Sequence, residues 1–276
     1  MGDDSPLFPA LARTFFEHCF PRITAKLELD FAGDPVARDL AHDALDDHGV
    51  TTDAVVTQLA AIGMKTRRPC IIFAPGPSLD ECFDLLCKSG TFSSSNFILA
   101  VDGAARLLVD RGARIDAVVT DLDGLDDEYL AHIIHRDKAT CFIHCHGNNI
   151  DRLNDVLPYV AGQDNCIFTT QVEPTSLVAN FGGFTDGDRA VLVALGFGFT
   201  QLYLVAMDLD ATEIGLHSKA DLADRSLDGN PVKREKLAVA SAILKWVVRA
   251  DLPGRTVYTV NKHPPLPYLP DVPTIP

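Results

Sequence analysis

Apolar and polar positions along the 276-residue chain fall into two regimes. Up to about residue 68, apolar residues recur at three- and four-residue intervals, as in Asp34 to Leu45 and Thr52 to Ile62. That period predicts helices, and no run there reads as a strand, so residues 1–68 are expected to form a helical N-terminal region. From Cys70 onward the pattern changes to short continuous apolar runs rich in β-branched residues. These are Cys70 to Ala74, Phe97 to Val101, Ala117 to Thr120, Cys141 to His144, Ile167 to Thr170, Leu202 to Ala206 and Val257 to Val260. Strands apolar on both faces, separated by helical stretches, predict an α/β fold over residues 69–260, with a mostly parallel sheet covered by helices on both sides. A last helix is expected to start near Pro231, after the Asp228-Gly229-Asn230 turn. The proline-rich segment 261–276 is expected to run extended. No internal repeat is visible.

Composition narrows the function classes. With 47% apolar and 22% charged residues the chain can bury a full core. A formal charge of -14 disfavours nucleic acid and anionic membranes as partners, so a polyanionic ligand would need a metal ion beside it. The seven cysteines match no zinc-site spacing and read as small buried hydrophobes in a reducing compartment. No basic segment followed by an apolar run opens the chain, and no later run reaches membrane-span length. A soluble, cytoplasmic protein is expected. A homo-oligomer is compatible with the sequence, which does not set the number of subunits.

In open α/β sheets ligands bind beyond the carboxyl ends of the strands, so the residues that follow each apolar run carry the chemistry. After the first run, Gly76, Pro77 and Ser78 form a tight turn in which Ser78 can cap the next helix and free amides can hold phosphate. Any strand-to-helix turn favours the same residue types. Asp102-Gly103-Ala104 follows the second run, with Asp102 facing the crevice or capping a helix. Asp121 and Asp123 stand two apart after the third; in extended backbone both would point the same way, which suits a hard cation. Leu125 and Asp126 break an EF-hand reading, and Asp126, Asp127 and Glu128 belong to the first turn of the next helix.

His144 and His146 end the fourth run without enough partners for zinc; hydrogen bonding to a substrate is preferred for the pair, and a structural role for His144. The loop Asn180 to Arg189 supplies glycines, Asp186, Asp188 and Arg189 ahead of the helix Ala190 to Leu195, and lacks the Gly-Lys-Ser/Thr ending of a Walker loop. Asp208 and Asp210 follow the sixth run, and Lys233 and Lys236 lie on the last helix, where a solvated face accounts for them. Six polar strand ends in succession argue together for an active-site rim.

The ordered set Gly76-Pro77-Ser78-Leu79, Val101-Asp102-Gly103-Ala104, Thr120-Asp121-Leu122-Asp123-Gly124, His144-Cys145-His146-Gly147, Gly183 to Arg189 and Met207-Asp208 resembles the archaeal 6-hydroxymethyl-7,8-dihydropterin pyrophosphokinases. Their core is similar to thiamin pyrophosphokinase, and the likeness runs from about Cys70 to Lys236. The resemblance implies transfer of the diphosphate of ATP to a pterin, with AMP released, in folate or methanopterin synthesis. It implies Mg²⁺ on Asp121, Asp123 and Asp186, catalysis by these first two with Asp102 and Arg189, and ATP on Gly76, Pro77, Ser78, Asp186, Gly187, Asp188 and Arg189. Asp102, His146, Asn148 and Thr170 would take the pterin. One departure is Asn148, where the family carries aspartate; asparagine offers a carbonyl oxygen without charge. The competing readings are a thiamin pyrophosphokinase, a haloacid dehalogenase-type phosphohydrolase built on Asp121-Leu122-Asp123-Gly124, and a nucleotide-binding module.

Overall fold

The computed structural model describes residues 5–27, 30–90, 92–93, 95–219, 222–249 and 254–260. Four helices come first: α1 (Ala10–His18), α2 (Phe20–Leu27), α3 (Gly33–Asp47) and α4 (Thr52–Gly63). Strands and helices then alternate as β1 (Cys70–Phe73), α5 (Leu79–Ser89), β2 (Phe97–Val101), α6 (Ala104–Asp110), β3 (Ala117–Thr120), α7 (Asp127–Ala131), β4 (Thr140–Cys145), α8 (Ile150–Val160), β5 (Cys166–Thr170), α9 (Asp186–Phe197), β6 (Gln201–Val205), α10 (Pro231–Arg249) and β7 (Thr256–Val260). All seven predicted strands are present within one or two residues of their expected ends. The tail expected over 261–276 lies outside the described residues.

The strands form one sheet in the order β5-β4-β3-β2-β1-β6-β7, and every pairing is parallel. The chain steps outward from β1 to β5, then returns through α9 to lay β6 on the free side of β1. Parallel crossovers are right-handed, so the outgoing run and the return place their helices on opposite faces. Strands β1, β2, β3 and β5 are therefore buried at every position, which is what their uninterrupted apolar runs require. Helix α9 packs over β1, β2 and β3 and is itself covered by α1, α4 and α10.

The helical N-terminal region shares this core. Leu7, Phe15, Ala37, Ala41 and Leu59 belong to the same contiguous apolar cluster as the strands. Helix α3 packs against α8 and the ends of β4 and β5. Gly33 at its start meets Gly147 so closely that a Cβ on Gly33 would lie 2.7 Å from the Gly147 Cα. All seven cysteines are free; five are buried and Cys87 is exposed. Among the described residues no helix is long and apolar enough to cross a membrane.

Candidate active site

The strand order reverses between β1 and β6, and a cavity of about 450 Å³ opens at the carboxyl ends of the strands there. Three non-glycine residues just beyond these strand ends have left-handed backbone: Asp102 after β2 (φ 43°), Leu122 after β3 (φ 72°) and Ala206 after β6 (φ 53°). Each costs about 1 kcal/mol, and such strain persists where surrounding contacts over-determine the conformation.

At Leu122 the strain has a visible use. The chain leaves β3 at Thr120 and turns sharply, so Asp121 and Asp123 do not point one way along an extended backbone. They converge because of the turn. Thr120, fully buried, holds it: its hydroxyl donates to Asp102 Oδ1 (2.7 Å) and accepts from the Leu122 amide (2.8 Å). The Asp123 amide donates to Asp121 Oδ1 (3.1 Å) and the Gly124 amide to Asp102 Oδ1 (3.2 Å). Only glycine fits at 124, since a Cβ would stand 2.0 Å from Asp102 Oδ2. Asp102, Asp121 and Asp123 thereby bring one carboxylate oxygen each to within 4.8 Å of one another.

Burial, then repulsion from Asp121 and Asp123, pushes the Asp102 carboxyl up to about 7 against the Thr120 hydrogen bond. Burial also works to raise Asp121, but the bond from His146, the Asp123 amide and the charge of Arg189 outweigh it and bring Asp121 down to about 2. Burial and Asp121 hold Asp186 well above the ordinary carboxylate range, opposed by Arg189. This hard-oxygen set resists full ionisation by itself and fits a cation such as Mg²⁺. Asp186 lines the cavity but lies outside that trio, its carboxylate engaged by Arg189 Nη1 at 3.0 Å.

His146 is oriented from both sides. Its Nδ1 accepts the Asn148 amide (3.2 Å), so Nε2 carries the proton and donates to Asp121 Oδ2 (3.3 Å). Asn149, which carried no expectation, ties β3 to β4: its side-chain amide donates to the carbonyls of Asp121 and His144 (2.8 and 2.7 Å). Asn148 itself is exposed at the cavity rim. His144 is buried, its Nδ1 on Thr169 Oγ1 (3.1 Å) and its Nε2 without a hydrogen-bond partner. Burial, Arg189 and His146 hold it well below the usual histidine range, so it is neutral.

Several expected ligands turn out to be structural. Ser78 makes no side-chain cap on α5; its hydroxyl donates to the Asp208 carboxylate (2.7 Å) and its amide does the same (2.8 Å). The Leu79 amide is also taken, by the Gly76 carbonyl, so the Ser78 and Leu79 amides are not free for phosphate, although Gly76 and Pro77 do line the cavity. Asp102 is not a helix cap, since Gly103 holds the position before α6. Asp188 is fully buried as the second half of a capping box, accepting from Phe184 N, Thr185 N and Thr185 Oγ1. Strand alternation turns Thr170 inward, where its hydroxyl accepts the Val172 amide and does not line the cavity. Gln171 lines it instead.

Arg189 is placed as expected, its guanidinium reaching Asp186 and the Phe184 carbonyl (3.4 Å) from a buried position. Gly187 faces the cavity beside Met207. Other wall residues were not anticipated. Lys219, from the segment joining β6 to α10, reaches Asp123 Oδ2 at 2.6 Å. Lys233 and Lys236, read from the sequence as a solvated face, line the cavity. Asp34, from α3, comes to the same space through the fold of the N-terminal region, which no local pattern signals.

The family described as "6-hydroxymethylpterin diphosphokinase MptE-like" matches residues 53–213 of the chain. A 6-hydroxymethyl-7,8-dihydropterin pyrophosphokinase of Methanothermobacter thermautotrophicus is 35% identical over 179 residues, covering 65% of this chain and 73% of that protein. The protein of the same name from Pyrococcus furiosus is 38% identical over 178 residues, covering 64% and 70%. Among solved structures, a MAf glycosyltransferase from Magnetospirillum magneticum aligns with a TM-score of 0.42 and 14% identity over 75% of this chain and 36% of its own, too loosely to inform function.

Proposed function

The chain belongs to the 6-hydroxymethylpterin diphosphokinase MptE-like family, and from that premise we propose that it transfers the diphosphate of ATP to 6-hydroxymethyl-7,8-dihydropterin. One observation carries the reading. Three carboxylates from the ends of β2 and β3 converge on a cavity whose other walls hold Arg189, Lys233 and Lys236. A cavity that is acidic on one side and basic on another suits a nucleoside triphosphate with its cation.

In the proposed reaction the hydroxymethyl oxygen of the pterin bonds to the β-phosphorus, the bond from that phosphorus to the α-phosphate oxygen breaks, and AMP departs. The hydroxyl proton goes to water. Phosphoryl chemistry of this kind asks mainly for positioning and charge neutralisation. Asp121 and Asp123, with Asp102, would hold Mg²⁺. Bound there, the ion supplies neutralisation of the charge on the transferring phosphates. His146 keeps Asp121 ionised and aimed, and Asp186 orients Arg189 toward the phosphates. Gly76, Pro77 and Gly187 let the nucleotide approach the β1 and α9 ends closely, and Lys233 and Lys236 attract its phosphates from α10.

The test is AMP release from Mg·ATP with the pterin, run beside thiamin, no acceptor and an Asp123→Asn variant. Pterin-dependent AMP that disappears in the variant is expected. ADP or free phosphate as the product, or the same AMP yield without acceptor, would sink the proposal.

A further inference from the structure

The basic and acidic walls account for the phosphates and their cation, but not for the deep end of the cavity between β4, β5 and α3. There Asp34 and His144 line the space while being 3% and 1% exposed. Asp34 Oδ1 accepts the Gly147 amide (2.8 Å) and Oδ2 accepts Gln171 Nε2 (2.7 Å). These bonds fix the carboxylate and leave each oxygen a second lone pair. With its amide nitrogen turned to Asp34, Gln171 directs its carbonyl oxygen toward Arg189 Nη2 at 3.5 Å. Beside them His144 Nε2 is buried without a well-aligned hydrogen bond, the Gln171 side chain standing close enough to interact with the ring. A buried polar atom left poorly paired is destabilising, so a ligand that pairs with it gains affinity. Phe31 and Phe184 line the same cavity.

A fixed carboxylate, a neutral imidazole and a side-chain amide lining one cavity disfavour phosphate and favour a flat heterocycle with N–H donors. We infer that Asp34, His144 and Gln171 form the recognition edge for the ring of the acceptor, so that the N-terminal helical region supplies a determinant of specificity. This rests on the pterin reading given above. The pyrimidine half of a pterin presents a carbonyl oxygen, an N–H and an amino group in a row. That row offers two donors to a carboxylate and a partner to His144 Nε2 in either tautomer. Asp34 lies outside the stretch 53–213 that matches the family, so this contribution is made by the part of the chain the match does not cover.

The experiment measures equilibrium binding of the pterin by its own fluorescence, without ATP, to the full chain and to Asp34→Asn, Asp34→Ala and His144→Phe. The 2-oxo analogue, in which oxygen replaces the 2-amino group, is the second ligand, and thermal melting verifies that each variant folds. Wild type should bind the pterin about tenfold or more tightly than the 2-oxo analogue; Asp34→Ala should lose most of that preference, and His144→Phe should weaken the pterin about tenfold. In turnover assays the Asp34 variants should raise KM for the pterin and leave KM for ATP in place. Folded Asp34 variants that bind both ligands as wild type does would overturn the inference. If wild type binds the pterin in an Asp34-dependent way but releases no AMP, the inference stands and the transfer reading fails; if wild type neither binds the pterin nor releases AMP with it, both fail.

Discussion

At the amino ends of the strands, Asp116 before β3 is buried, accepts the Ile98 amide at 3.0 Å, and is flanked by Arg68 at 3.3 Å and by Arg114. At the carboxyl ends, Asp102, Asp121, Asp123 and Asp186 face Arg189 and Lys219. Each end holds a buried aspartate, Asp116 at one and Asp102 at the other. One carboxylate has two guanidinium partners at the first, whereas four carboxylates share one guanidinium and one ammonium at the second. Asp102, pushed to about 7, carries the consequence. The difference teaches that burial of charge does not mark a reactive site; incomplete neutralisation does. Asp116 staples β2 to β3, and the opposite cluster is left with more carboxylates than cationic side chains.

The largest effect expected from breaking this contrast falls on turnover. Asp121→Asn should lower kcat by about 10³-fold in steady-state assays while the fold is retained, because it removes a carboxylate that would hold the cation offsetting the charge of the transferring phosphates. At the other end, Asp116→Ala should leave KM for ATP unchanged and cost about 2 kcal/mol in urea unfolding, the typical cost of orphaning a buried amide such as that of Ile98. The exposed Arg114 can turn to solvent, which keeps the loss below that of a fully buried pair. Equal losses of activity in the two variants would erase the distinction.

Mg²⁺ sharpens the comparison. At ten times its dissociation constant it should stabilise wild type by about 1.4 kcal/mol in thermal melts, and Asp121→Asn much less. A shift of the same size in both would place the ion elsewhere. The last effect concerns His144, which burial holds neutral in the folded chain while the unfolded chain takes up a proton near pH 6.5. Below that pH the unfolded state binds more protons, so stability falls by up to about 1.4 kcal/mol per pH unit as pH drops. Urea midpoints at pH 7 and pH 5 should therefore differ less for His144→Phe than for wild type.

Most of the architecture was legible in the residues. Seven continuous apolar runs located seven strands, four of them buried at every position, because a strand covered on both faces has no polar position to spare. Asp102, Asp121, Asp123, His146 and Arg189 were singled out because the rule that ligands sit beyond strand ends needs no coordinates, and the structure sets all five on one cavity. The errors share one cause. Ser78, Asp188 and Thr170 have the residue types of ligands, yet their hydroxyls and carboxylates are spent on Asp208, on the Phe184 and Thr185 amides, and on Val172. Residue type does not disclose which polar groups the fold has already paired.

The omissions have the opposite cause. Lys233 and Lys236 sit on a helix whose local pattern gives no reason to face a cavity, and Asp34 lies more than a hundred residues from its partners Gly147 and Gln171. By itself the sequence determined the periodicities, the strand-end chemistry and the net negative charge, since these depend on near neighbours and on counting. Only the tertiary structure decided that Leu122 would turn left-handed to bring three carboxylates together and that α3 would carry Asp34 to β4 and β5. Those outcomes depend on contacts between segments far apart in the chain, where packing sets the distances that no local pattern encodes.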